Sequence, residues 1–209
     1  MEDRPSLQST GGGIVERAKA IIMQPKLEWA KIAGETAEPM KVLLGYALPL
    51  ILIGPIAALI GGQLFGYNAM MASFKPTLGF SLTVAVTSFV QAVILLFVIA
   101  FAANQLSPKF GGKQDFPAAF RLVAYSMTAA WLAGIFGLIP ALGILALLGL
   151  YSFYLFYLGA TPVLDVPEDK AIGYTVVTVV VVIVVYFILV TIVSTILGGM
   201  MMASGMAAV

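Results

Sequence analysis

The chain contains no cysteine and no histidine, and only 10% of its 209 residues are charged. These absences exclude disulfides, thiolate nucleophiles, Cys/His zinc sites and the usual general base near neutral pH. The formal net charge of +1 gives no electrostatic argument for nucleic acid as a partner. We therefore expect no cofactor, no metal site and no enzymatic activity.

Apolar residues are what the chain has in excess. They make up 61% of it, and the mean hydropathy is +1.03, whereas a soluble domain carries about 25% charged residues. So much apolar surface cannot be hidden in a core of this size, so lipid must be the solvent. The composition predicts an all-α integral membrane bundle in contact with the lipid bilayer.

Five apolar runs are each close to the roughly 20 residues that a helix needs to cross a bilayer. The last run is dense in β-branched residues, but its length and its lack of breaks favour a membrane helix over a strand. They predict a membrane domain over residues 41–199 and a short external tail over 200–209. The predicted spans are residues 42–65, 80–103, 118–139, 141–159 and 171–197.

The N-terminal part divides into a polar tail, residues 1–13, and an amphipathic segment, residues 14–40. We expect the tail to be disordered. In the segment, apolar residues recur at helical spacing with Arg17 and other charged residues opposite them, and Pro25 ends one helix and begins another that carries Trp29. These helices either lie among the lipid headgroups, with Trp29 in the interfacial belt, or pack on the membrane domain.

The first span combines two prolines with a stripe of small residues. Pro49 and Pro55 each remove a backbone hydrogen bond and are expected to kink the helix. Such a helix either exposes carbonyl groups to a transported ion or simply packs tightly. Self-association through the stripe is a further hypothesis. The predicted packing stripe is Gly54, Ala58, Gly62 and Gly66.

Polar side chains inside the later spans also allow two interpretations. They either bond neighbouring helices and form an aromatic belt at the interface, or they line a path for a solute. The candidate functional cluster consists of Gln91, Arg121, Tyr125, Tyr151, Tyr154 and Tyr157. At the chain's end, Met200, Met201, Met202 and Met206 could offer thioethers to Cu(I), but without Cys or His we expect a packed helix end instead.

A short charged turn separates the last two spans. Pro167, Glu168 and Asp169 have the composition of a helix start, because proline suits the first position and carboxylates favour the positive end of the helix dipole. The turn motif continues through Lys170, Gly173 and Tyr174. It therefore predicts a turn at the membrane surface that begins the fifth span.

The distribution of positive charge predicts the orientation. With the N-terminus inside, ten of the eleven Lys and Arg residues lie inside and only Lys75 lies outside. The positive-inside rule then favours a cytoplasmic N-terminus and an external C-terminus. It also places Lys109, Lys113 and Arg121 beside Asp165, Glu168 and Asp169, so we expect these two turns to dock through charge pairs.

Four stretches, namely the segment with Pro25 and Trp29 and the runs over residues 120–135, 150–154 and 166–174, resemble the bacterial branch of the Yip family, whose relatives are Ypt/Rab-interacting-protein-like five-span membrane proteins. The resemblance covers roughly residues 14–198, and its most specific part is the sequence Pro-Glu-Asp-Lys-Ala-Ile-Gly-Tyr over 167–174. It implies five membrane helices, a cytosolic N-terminus and residence in the bacterial cytoplasmic membrane. Eukaryotic relatives are partners of Rab-type GTPases and associate with one another, but the Asp-Leu-Tyr-Gly-Pro type motif that they carry is absent from this sequence.

Two functions remain open. The first is a non-enzymatic scaffold, adaptor or membrane-organising protein. The alternative is a transporter or channel for an ion, a small solute or a lipid, although no acidic residue lies deep in a span. A water-filled cavity lined by Gln91, Tyr125 and Tyr154 would favour transport, and a dry bundle would favour the scaffold. An intramembrane enzyme is the weakest hypothesis, because no GxSxG or GxxxxGK motif occurs.

Overall fold

The computed structural model describes residues 13–69 and 72–203, and five helical stretches in it are long and apolar enough to cross a bilayer. The prediction of an all-α membrane bundle is confirmed. The observed spans are Pro39–Phe65, Leu78–Phe110, Phe116–Leu138, Pro140–Leu164 and Glu168–Thr195.

Two short helices precede the spans. Helix α1 covers Ile14–Met23 and α2 covers Pro25–Ala33, with Gln24 between them. Pro25 occupies the first turn of α2, where the missing N–H costs nothing. Both helices lie against the bundle, at the end that also carries the turns before the third and fifth spans; we call this the charged end.

The first span is interrupted near each of its prolines. It consists of α3 Pro39–Val42, a π-helical turn Leu43–Ala47, α4 Leu48–Ile51 and α5 Ile53–Phe65. Pro49 has no N–H to bond the carbonyl of Gly45, and the Leu48 N–H bonds Leu43, five residues earlier. The expected departures from a straight α-helix are therefore present.

The connection to the second span contains a small hairpin where the sequence predicted only a loop. Gly66 ends α5 with φ of 68°, which a residue with a side chain rarely adopts. Strands β1 Tyr67–Ala69 and β2 Ala72–Phe74 then pair antiparallel, with Tyr67 opposite Phe74. Helix α6, Leu78–Leu106, follows and is capped by the Thr77 side chain.

The third and fourth spans meet in an unusual stretch of 3₁₀-helix. A run longer than about four residues is uncommon for this helix type, yet one segment here has 11 residues. The elements after α6 are a 3₁₀ turn Ser107–Phe110, α7 Phe116–Ser126, α8 Thr128–Ala133, 3₁₀ segments Gly134–Leu138 and Pro140–Leu150, α9 Tyr151–Leu164 and α10 Glu168–Ala203.

The third span forms the centre of the bundle, and the fifth span lies at its edge. In the most apolar window of the third span, 61% of the residues are buried inside the protein. In the corresponding window of the fifth span, only 6% are buried. Phe120, Leu122 and Val123 of α7 are almost fully buried. Among the described side chains of α10, the buried ones lie near its start, for example Tyr174 and Thr178, so most of the described part of this helix faces the lipid.

The predicted packing stripe faces the chain's own third span. A methyl group on Gly134 would lie 2.8 Å from the Cα atom of Gly54, and one on Gly137 would lie 3.8 Å from the side chain of Ala58. Gly62 is also buried. Gly54 and Ala58 therefore serve close packing of the first span against the third within the molecule.

Two predictions fall partly beyond the described part of the chain. The tail over residues 1–12 and the side chains of all four C-terminal methionines lie outside the described residues. The fifth span was expected to end at 197; the observed apolar stretch ends at Thr195, and the backbone of α10 stays helical to Ala203.

Candidate functional site

The charged end is held together by ion pairs that the sequence analysis did not identify. Arg17 of α1 donates to Glu28 of α2 at 2.7 Å and to Glu35, just after α2, at 2.5 Å. The side chains of Arg17, Glu28 and Glu35 are only 12%, 6% and 20% exposed. Lys31 adds a second bond to Glu28 at 3.0 Å, but is itself 69% exposed. We call these four residues the ion cluster.

The electrostatics of the ion cluster keep Arg17 charged. Burial acts to lower the pKa of the Arg17 guanidinium, but the charge and hydrogen bond of Glu35, with smaller contributions from Tyr125 and Glu28, outweigh it and raise the pKa above its ordinary value. The guanidinium also lies 5.4 Å from the centre of the Tyr125 ring, which is within the range of a cation–π interaction.

Tyr125 connects the ion cluster to the interior of the bundle. Its ring lies 4.8 Å from that of Tyr46 in the first span. The Tyr46 hydroxyl and the Thr128 hydroxyl are 2.7 Å apart, and Thr128 donates to the backbone carbonyl of Tyr125 at 2.6 Å. A continuous set of contacts therefore runs from Arg17 to the first and third spans.

Trp29 anchors α2 in the fourth span instead of lying in an interfacial belt. It is 1% exposed. Its ring covers Gly159 so closely that a methyl group there would lie 2.7 Å from the ring and 2.5 Å from Leu122. The expectation of an interfacial Trp29 is thus wrong, because a glycine in α9 leaves a space that the indole fills. Of the two alternatives, the structure has these helices packed on the membrane domain.

Two further hydrogen bonds fix the N-terminal segment, residues 14–38, to the spans. The Tyr151 hydroxyl donates to the carbonyl of Ile22 at 3.2 Å. Arg121 donates to the carbonyl of Ala37 at 3.1 Å, and its buried Nε has no partner among the described residues. Arg121 and Tyr151 therefore position this segment on the bundle.

The two turns at the charged end dock mainly through backbone contact. The Lys113 N–H donates to the carbonyl of Leu164 at 2.8 Å. A methyl group on Gly112 would collide with that carbonyl, with the Ser107 hydroxyl and with Val166. Among the described residues one charge pair joins the turns, Lys113 with Asp165 at 3.2 Å, so the expected docking is present with fewer charges than predicted.

Replacing Lys113 with methionine is expected to change the free energy of unfolding by less than about 1 kcal/mol, because exposed ion pairs contribute little. Lys113 and Asp165 are 42% and 65% exposed, whereas the backbone bond from Lys113 survives the substitution. Denaturant titration of the purified protein measures the change. A loss of several kcal/mol would mean that charge, and not backbone contact, docks the turns.

The turn motif begins the fifth span as predicted. Helix α10 starts at Glu168, and Glu168 and Asp169 lie in its first turn. The Tyr174 hydroxyl donates to the carbonyl of Ala103 at 2.9 Å, and Gly173 leaves room for the ring of Phe110. This motif therefore fixes α10 to the end of α6. Pro167 and Lys170 lie close to Gly111 in the neighbouring turn.

The structure does not gather the predicted polar cluster into one site. Tyr151 and Tyr154 touch each other, with ring centres 5.5 Å apart, whereas Tyr125 contacts Tyr46 and Arg17. Gln91 lies half-buried on α6, and Tyr157 packs against the core. Two of the cavities among the described residues are lined by other side chains and not by Gln91, Tyr125 or Tyr154.

A family comparison agrees with this architecture. The family model described as the Yip1 domain matches residues 19–192. No protein with a curated description and no solved structure matches the chain. The matched range includes Trp29, most of the ion cluster, the first four spans and the fifth span up to residue 192.

Proposed function

Since the chain belongs to the Yip1 domain family, we propose that it is a non-enzymatic membrane scaffold or adaptor. We assign the contact with its partner to the N-terminal segment at the charged end. The positive charges of the sequence favour placing this end in the cytoplasm. In this proposal the membrane is the cytoplasmic membrane of a bacterium, and the C-terminus lies outside.

The observation that carries the proposal is the fixed position of the N-terminal segment. Its inner face is bound through Trp29 and Arg17, while Lys19, Lys26 and Lys31 on its outer side are exposed. A surface that is already ordered binds a partner without the entropic cost of ordering it first. We call this ordered outer surface, which carries Lys19, Lys26 and Lys31, the platform. It suits an adaptor, whereas moving a solute through the bundle does not require it.

Exposed apolar side chains beside these lysines extend the platform towards the membrane. Val15, Met23 and Leu27 are 75%, 69% and 63% exposed, and Lys19 and Lys26 lie near them in the sequence. Apolar side chains mixed with lysines are typical of helices at the headgroup level. We infer that a partner is met close to the lipid surface.

Photo-crosslinking in native membranes tests the adaptor function. A photoreactive amino acid replacing Lys26 is expected to give discrete protein adducts, because Lys26 is exposed on the N-terminal segment. The same amino acid replacing Lys75 is the matched control, since this exposed lysine precedes the second span, at the opposite end. Adducts with lipid alone at both positions would contradict the proposal.

Solute flux tests the alternative of a transporter or channel. Liposomes that contain the purified protein are expected to release solutes no faster than empty liposomes, because the structure does not gather Gln91, Tyr125 and Tyr154 into one polar site. The double variant Gln91→Leu/Arg121→Ala is the control. Flux that the intact protein supports and the double variant abolishes would establish transport instead.

A further inference from the structure

The exposed apolar surface of the fourth span stops partway along its length. All of residues 141–150 except Leu145 and Gly149 are exposed, and Tyr154 is exposed as well. Among residues 155–164, which the structure describes throughout, none is exposed. Apolar side chains exposed on a membrane span face lipid. The surface that lipid covers on this span therefore ends near Tyr154.

Helix α1 reaches the bundle at that same level. The Tyr151 hydroxyl donates to the carbonyl of Ile22 at 3.2 Å, and the ring centre of Tyr154 lies 5.5 Å from that of Tyr151. Met23, the last residue of α1, follows Ile22 and is 69% exposed. The end of α1 therefore lies where the lipid-facing surface of the fourth span ends.

One face of α1 is directed away from the bundle. Val15, Lys19 and Met23 follow one another at four-residue spacing, so they share a face of the helix, and all three are exposed. Ala18 and Ile21 are buried on the side that packs on the spans. The exposed face thus has an apolar side chain at each end and a cation between them. We call these three residues the α1 outer face.

The fold leaves the outside of the N-terminal segment more positive than its sequence suggests. Residues 14–38 contain equal numbers of cations and acids. The ion cluster withdraws Arg17, Glu28 and Glu35 into the protein, which removes two acids and one cation from the surface. Lys19 belongs to none of the ion pairs among the described residues. Its charge is therefore available to an anion.

The α1 outer face suits a lipid surface better than a second copy of the chain. Symmetric pairing through this face would bring Lys19 of one copy towards Lys19 of the other, because such an interface uses the same patch twice. No acid lies among the three residues to offset that repulsion. At a bilayer surface, in contrast, Val15 and Met23 enter the upper acyl layer while the Lys19 ammonium extends to the phosphates.

We propose that the α1 outer face binds the headgroups of anionic phospholipids, with Lys19 in contact with a phosphate. The apolar ends of the face continue the lipid-covered surface below Tyr154, and the positive charge selects anionic over zwitterionic headgroups. This binding does not depend on the adaptor function, because α2 with Lys26 and Lys31 stays available to a protein partner.

The chain has no cysteine, so a single fluorophore on Met23→Cys reports from the α1 outer face. The full-length protein is placed in phosphatidylcholine vesicles with a small fraction of phospholipid spin-labelled close to its headgroup. The quencher is carried either on phosphatidylglycerol or on phosphatidylcholine. We expect the phosphatidylglycerol quencher to be about twice as effective, because Lys19 concentrates anionic lipid beside the label.

Three variants separate binding at Lys19 from ordinary lipid contact. Lys19→Gln is expected to abolish the preference for phosphatidylglycerol. Lys75→Gln makes the same change of charge at the opposite end, at an exposed position, and should leave the preference intact. A fluorophore on Leu147→Cys, at a position 58% exposed on the fourth span, should be quenched equally by both lipids. If Met23→Cys fails to fold, Val15→Cys must show the same preference.

Three results would overturn the proposal. Equal quenching of the Met23 label by the two lipids would show that Lys19 selects no anionic headgroup. Quenching by neither lipid would show that the α1 outer face meets water or protein. Quenching that weakens as the protein-to-lipid ratio rises would show that a second copy covers it. Crosslinking at Lys26 is unaffected by these outcomes, so the adaptor function is tested separately.

Discussion

Replacing Gly61 with alanine is expected to lower the free energy of unfolding by about 3 kcal/mol, the upper part of the range for an overpacked core. The added methyl group would lie 2.5 Å from the carbonyl oxygens of both Gly137 and Leu138. These are backbone atoms and cannot rotate away as a side chain can. Helix α5 and the segment Gly134–Leu138 must therefore separate, which also opens the contact between Gly54 and Gly134.

The matched control for Gly61→Ala is Gly45→Ala in the same span. Apart from its chain neighbours and the adjacent helix backbone, a methyl group on Gly45 has nothing within 4 Å, and alanine in a helix is more stable than glycine by roughly 0.5–1 kcal/mol. Unfolding by denaturing detergent in mixed micelles measures both variants. If the Gly61→Ala and Gly45→Ala proteins unfold at the same fraction of denaturing detergent, the close approach of α5 to the third span does not exist.

Replacing Arg17 with methionine is expected to cost about 3 kcal/mol, because removing one partner of a buried ion pair leaves its acids without compensation. Glu28 would keep only Lys31, and Glu35 would lose its hydrogen bond to Arg17. Since Arg17 also lies against the Tyr125 ring, the N-terminal segment should open before the spans unfold. Limited proteolysis within residues 14–38 measures that local opening.

The controls for Arg17→Met use the same ion cluster. Lys31→Met removes a partner of Glu28 that is 69% exposed, so its expected cost is below about 1 kcal/mol. The double variant Arg17→Met/Glu28→Met should cost less than the sum of its single changes, since a pair removed together leaves no unpaired charge on Glu28. Strictly additive losses would refute coupling between Arg17 and Glu28.

The five spans could be predicted because lipid imposes a local rule on the sequence. Each span must be apolar for about 20 residues, so hydropathy alone gives the number of spans. Proline and acidic residues mark where α10 starts, and the contact of the two turns was expected from their position. Tyr174, which was assigned only to the turn motif, fixes α10 to Ala103.

The arrangement of the charged end could not be predicted, because it depends on contacts between distant residues. Arg17 was assigned to the polar face of an isolated helix, and only the fold brings Glu28 and Glu35 to it. The break at Gln24 and Pro25, which turns α2 back against α1, is the one local signal for this pairing. In the same way, nothing near Trp29 in the sequence indicates that Gly159 will receive it.

The long 3₁₀ segment gives the fourth span a greater axial reach than its residue count suggests. Its 11 residues rise about 2.0 Å each and extend about 22 Å, against about 16 Å for an α-helix of equal length. Added to α9, this makes the fourth span exceed a hydrocarbon layer of roughly 30 Å. Hydrophobic mismatch then favours tilt or a thicker bilayer around the protein.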